Sequence, residues 1–61
     1  MRFNLGDYCK VTMTVFTDPP LKRGDLVRVN LVRRRKNYWE YGVVGASRQI
    51  AYVREDVLEK A

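Results

Sequence analysis

Leu21-Lys22-Arg23-Gly24-Asp25-Leu26-Val27-Arg28-Val29-Asn30-Leu31-Val32 decides the fold. Lys22 to Asp25 reads as a tight turn, in which Gly24 is free to take a positive φ and Asp25 shapes the backbone around it. From Leu26 the pattern changes to period two. Val27, Val29 and Leu31 fall on one side and Arg28 and Asn30 on the other, as in a strand with one face in a core and one in water.

The same period extends outward in both directions. Toward the N-terminus, Tyr8 to Phe16 alternates, with Cys9, Val11, Met13 and Val15 on one side and Tyr8, Lys10, Thr12 and Thr14 on the other. This predicts a strand that Thr17-Asp18-Pro19-Pro20 ends, because two prolines remove two ladder donors. Toward the C-terminus, Arg33-Arg34-Arg35-Lys36-Asn37 is too charged to bury and reads as a hairpin tip. Tyr38 to Val44 is a third strand, Gly45-Ala46-Ser47 a turn, and Arg48 to Val53 a fourth strand. Arg54 to Glu59 reads as a single helical turn that drops Leu58 back onto the core. No segment before residue 54 carries a 3.6-residue period, which argues against a helical bundle. Short strands joined by tight turns avoid open edges by closing on themselves, so an all-β, five-stranded small barrel is expected.

Composition bounds what such a fold can do. The chain has 61 residues, 46% hydrophobic and 31% charged, with no histidine and one cysteine. A chain this short buries only about 60% of its unfolded surface, so one domain over residues 1–61 and no deep substrate pocket are expected. Without histidine, and with Cys9 alone, neither a disulfide within the chain, a Cys/His zinc site nor a Ser-His or Cys-His nucleophile pair can be built. Cys9 alternates with Val11 and Met13 and reads as a buried, inert thiol. A lone thiol fits a reducing, cytoplasmic setting. The longest uncharged run, Val11 to Thr17, is far short of a membrane span. Glu40, Glu55, Asp56 and Glu59 have no recognisable acid/base partner, so neither catalysis nor a cofactor or metal is expected.

Three pieces carry a resemblance. Leu21 to Val29 looks like the diverging turn of the Src-homology-3 fold, Trp39-Glu40-Tyr41-Gly42 is similar to that family's Trp-x-x-Gly/Ala strand, and Ala51 to Leu58 lies where the family has a strand, a short 3₁₀ turn and a last strand. Asp7-Tyr8 weakly echoes the family's Asp-Tyr motif. The resemblance implies a five-stranded Src-homology-3-like barrel with its 3₁₀ turn near residues 54–58. Peptide-binding members of the family grip proline-rich segments with a Pro and a Tyr in that turn. This chain carries Arg54 and Val57 there, and Lys22 and Arg23 replace acidic residues in the loop before Gly24, which argues against polyproline recognition. KOW and Tudor modules, the DNA-binding ends of retroviral-type integrases and small basic subunits that dock ferredoxin share this barrel and are also similar.

Charge locates the expected surface. Lys and Arg number 12 against 7 Asp and Glu, a net charge of +5. Between Leu21 and Arg54 there are nine basic and two acidic residues, +7, and the ends together carry −2. Arginine's planar fork suits phosphate and carboxylate. Arg33, Arg34, Arg35 and Lys36 are therefore candidate phosphate contacts, with Arg28, Arg48 and Arg54 extending the patch. Trp39 and Tyr41 share a parity that is outward if Gly42 and Val44 face the core, and would then offer a stacking surface for bases. The competing reading is that Tyr38, Trp39, Tyr41 and Tyr52 fill a small core, and for Tyr38 it is the preferred one. The expected function is a non-catalytic nucleic-acid-binding module. The alternative is a docking subunit or inhibitor presenting the same basic face to an acidic protein, with self-association into a homodimer a third possibility.

Overall fold

The computed structural model describes residues 2–61. Strands β1 (Tyr8–Val11), β2 (Leu26–Arg34), β3 (Trp39–Val44) and β4 (Ile50–Arg54) are followed by a 3₁₀ turn over Glu55–Val57 and by β5 (Leu58–Lys60). All pairings are antiparallel, and the strands form one five-stranded sheet in the order β4-β3-β2-β1-β5. The hydrogen-bond ladder does not close, because β4 and β5 are edges that do not pair with each other. Among the described residues no helix is long and apolar enough to cross a membrane.

The turn that leads into β2 forms as its sequence dictates. Gly24 takes φ +91°, its N–H donates to Val11 O at 2.7 Å, and the Asp25 carboxylate accepts from Lys22 N–H at 2.9 Å. β2 then alternates, with Val27 and Val29 buried and Arg28 and Asn30 exposed. The expected alternation breaks at Asn30. A bulge there shifts the register, so that Val29 pairs with Val43 but Leu31 pairs with Gly42 and Val32 with Tyr41. One extra residue reverses the facing of everything after it. Leu31, expected inside, lies on the outer face, and β2 runs two residues beyond its expected end at Val32.

The parity of β3 is also opposite to expectation. Tyr41 and Val43 are both fully buried. Val43 faces inward because it pairs with the inward Val29, and period two carries Tyr41 in with it. The other parity would have turned Glu40 toward the core, where an unpaired carboxylate is costly. Gly42 consequently faces outward beneath Leu31 and Ile50. A Cβ there would stand 2.9 Å from Ile50 Cδ1 and 3.0 Å from Leu31 Cβ, closer than such atoms pack.

The first strand is shorter than expected. It ends at Val11, since Thr12 N–H donates to Val57 O at 2.8 Å and no neighbouring strand continues the ladder. The apolar alternation of Met13 and Val15 therefore meets only a narrow loop pinned by a bridge between Val15 and Leu21, and Met13 is half exposed. Cys9 is fully buried, and burial followed by the nearby Asp7 charge pushes its thiol pKa up, which keeps it protonated. Leu58 is buried, as the turn before it leads one to expect.

Candidate functional site

The β2–β3 hairpin is closed by Arg35 N–H donating to Tyr38 O at 2.8 Å. Behind this tip Arg33, Glu40 and Arg54 lie side by side in one row across β2, β3 and β4. Arg33 donates from Nη2 and Nε to Glu40 Oε1 at 2.7 and 3.1 Å, and Arg35 Nε donates to the same oxygen at 3.1 Å. The Glu40 side chain is only 15% exposed, whereas those of Arg33 and Arg35 are 41% and 46% exposed. One covered carboxylate thus holds two cations that still face solvent, so the surface is positive.

The remaining guanidinium groups at this end are organised by rings. Arg33 also lies over Tyr52 at 4.4 Å from the ring centroid, Arg54 over Tyr38 at 4.5 Å and Arg34 over Trp39 at 5.2 Å. Each exposed pair of this kind is worth about 0.5–1 kcal/mol. Its larger effect is to fix the plane of the guanidinium while leaving its N–H edge free to donate. Among the described residues, no carboxylate lies within ion-pair distance of Arg34, Lys36 or Arg54. Beside them opens a cleft of about 310 Å³, lined by Arg34, Tyr38, Trp39 and Arg54 together with Arg2 and, from the 3₁₀ turn, Glu55 and Asp56.

The expected site residues divide into three groups. Arg33, Arg34, Arg35, Lys36, Trp39 and Arg54 come together at the hairpin end. Trp39 is half-buried, packing one side on the core while it lines the cleft. Arg28 and Arg48 do not join them. Arg28 pairs with Val44 and stacks on Tyr8 at 5.7 Å, near the opposite end of β2. Six residue steps along the strand separate it from Arg34, roughly 20 Å at about 3.3 Å per residue. Arg48 occupies the β3–β4 turn at that same far end, with φ 62°.

Tyr41 is no stacking surface at all. Its ring packs edge-on against Phe3, with centroids 5.3 Å apart and planes at 72°. Its hydroxyl accepts from the Arg2 and Phe3 N–H groups at 3.2 and 3.3 Å and donates to Glu55 Oε2 at 2.6 Å. Burial, and then that bond to Glu55, push the Tyr41 pKa up. The same hydroxyl, with help from the Arg2 N–H at 3.1 Å, holds Glu55 below the usual carboxylate range against partial desolvation. A carboxylate whose folded pKa is depressed stabilises the fold above its unfolded pKa, about 4.3 for glutamate. That contribution is lost as pH falls through the lower folded value. Wild type is therefore expected to lose stability in this acid window, and Glu55→Gln to lose less over the same window in urea titrations. Equal pH dependence of the two would show that Glu55 is not the linked group.

Sequence reasoning missed Tyr52, Tyr38 and Arg2. Tyr52 had a local signal, since Ala51 and Val53 are the buried pair of β4 and leave Ile50, Tyr52 and Arg54 outside. Arg2 had none, because only long-range folding brings it to the 3₁₀ turn. The chain matches no known protein family, no curated protein and no solved structure.

Proposed function

We propose that this chain is a non-catalytic binding module of Src-homology-3-like architecture that holds nucleic acid at the β2–β3 hairpin end. The strand order, the 3₁₀ turn between the last two strands and a tryptophan opening β3 support the architecture. Thr12 N–H on Val57 O and the Tyr41 hydroxyl on Glu55 draw the turn against the body of the sheet, which favours a rolled shape without a closing ladder.

One observation carries the nucleic-acid reading. At the hairpin end guanidinium groups are stacked on rings or share one covered carboxylate, so fixed N–H donors outnumber the acceptors available to them. Phosphate oxygens are the acceptors that such forks match, and unstacked bases extend the Arg–ring layers. Binding of a labelled mixed-sequence single strand, followed by fluorescence anisotropy, is expected to weaken linearly in log salt. Five contacts from Arg33, Arg34, Arg35, Lys36 and Arg54 at about 0.7 each give a slope near −3.5. Absence of binding at low salt, or affinity indifferent to salt, sinks the proposal.

A protein partner is the second reading, favoured by the outer sheet face. Ile50 and Tyr52 are each 44% exposed there, and Arg33 stacks on Tyr52. An acidic protein with an apolar centre would fit that combination of anchor and rim. Capture of one stoichiometric acidic protein that survives nuclease treatment would favour it over nucleic acid.

A further inference from the structure

The cleft at the hairpin end has a chemically mixed lining, which bears on which nucleotide it accepts. It carries Arg34 on Trp39 and Arg54 on Tyr38. It also carries Arg2, Glu55 and Asp56. Its volume of about 310 Å³ lies at the low end of small-ligand sites, about 300–1,000 Å³, which suits one base rather than a stacked pair. A second cleft of the same volume, bordered by Pro19, Pro20, Leu26 and residues 45–47, has no cation on its walls and no such pairing of charges.

Carboxylates repel a backbone phosphate, so the strand's phosphates are drawn away from Glu55 and Asp56, toward Arg33, Arg35 and Lys36 of the hairpin. The carboxylates are left to face hydrogen-bond donors, which the base and, in RNA, the ribose 2′-hydroxyl supply, and only the donors of the base differ from one nucleotide to the next. The two carboxylates are not equivalent. Glu55 Oε2 already accepts from the Tyr41 hydroxyl and the Arg2 N–H. Asp56 makes no hydrogen bond or ion pair among the described residues, although three arginines line the same cleft. It is the acceptor that remains open. Guanine presents two adjacent donors on its Watson–Crick edge, the N1–H and the N2 amino group, which match the two oxygens of one carboxylate. Adenine and cytosine present one amino group beside an acceptor, and uracil one N–H between two carbonyls. An unpaired base alone exposes that edge, because duplex pairing consumes it.

Resting on the nucleic-acid reading above, we propose that the cleft takes one unpaired guanine of a single strand. Its ring extends the Arg–aromatic stack, its Watson–Crick edge lies on Asp56, and its flanking phosphates lie on Arg33, Arg35 and Lys36.

The test uses labelled uridine tracts carrying one central guanine, adenine or inosine, the last lacking the N2 amino group. Wild type is expected to bind the guanine tract about tenfold tighter than the adenine tract, with inosine between them, in the range of a bidentate contact. Asp56→Asn is expected to bring the guanine-to-adenine ratio close to one while all-uridine binding stays equal or tightens, since a negative charge is removed. Thermal melting checks that the variant folds, and the inosine comparison in wild type does not depend on any variant. Equal binding of the three tracts by wild type, a guanine preference that survives in Asp56→Asn, or tighter binding to duplex than to single strand each overturns the guanine site. In those cases the broader nucleic-acid reading stands. Failure to bind any strand or duplex at low salt removes both.

Discussion

Tyr41→Ala is expected to remove a large share of the chain's stability. The side chain is the largest of the fully buried set and touches the molecule from two directions. Its ring meets Phe3 edge-on, and its hydroxyl joins two N-terminal backbone N–H groups to Glu55 of the 3₁₀ turn. Truncating a core aromatic to alanine costs about 3–5 kcal/mol. At about 0.05–0.15 kcal/mol per residue, the whole stability of a 61-residue domain is roughly 3–9 kcal/mol. The loss is therefore a large share of the total, and reaches all of it at the low end of that range. Tyr41→Phe separates the two contributions, because it keeps the ring and removes only the hydroxyl. It leaves the Arg2 and Phe3 N–H groups without that acceptor and Glu55 without its strongest donor, at a cost of about 1–3 kcal/mol. Urea unfolding followed by circular dichroism reads both variants. A Tyr41→Ala protein as stable as wild type would mean that the ring is not in the core.

Tyr41 also shows where the sequence stops being legible. Trp39-Glu40-Tyr41-Gly42-Val43-Val44 is compatible with either parity when read alone, since each face offers an apolar set. The choice is made by the pairing of Val29 with Val43 and by the bulge at Asn30, which are non-local facts. Features encoded within a few residues are legible in the sequence: the Gly24-Asp25 turn, the alternation of Val27 and Val29, the charged hairpin tip, and the short turn that returns Leu58 to the core. The end of β1 was not legible, because Met13 and Val15 continue a strand pattern that no neighbouring strand receives. The site followed the same division. Consecutive basic residues at a hairpin tip are evident from the sequence. The ring assigned to each arginine, and the carboxylate shared by two of them, depend on cross-strand register. Arg28 and Arg48 were grouped with the tip by charge alone, and strand length separates them from it.

Changing Arg33, Arg34 and Arg35 together to alanine is expected to have the largest effect on binding and a small one on the fold. All three side chains lie at the surface, and the ion pairs of Arg33 and Arg35 with Glu40 are the partly exposed kind that contribute little to stability. Three lost phosphate contacts, at about 0.7–0.9 each, reduce the salt slope by roughly 2–3. Affinity should fall further than the slope implies, because removing both partners exposes the Glu40 charge beside the strand. Adding Glu40→Gln to the triple variant isolates that effect: affinity should partly recover while the reduced slope stays. Anisotropy titrations at several salt concentrations measure both quantities. A fall in affinity with an unchanged slope would place these arginines against something other than phosphate and move the balance to an acidic protein partner. Unchanged affinity and slope would mean that the hairpin end is an ordinary solvated tip. The shared carboxylate is what makes the outcome specific, since a tip of independent arginines gives no reason for Glu40→Gln to change affinity without changing slope.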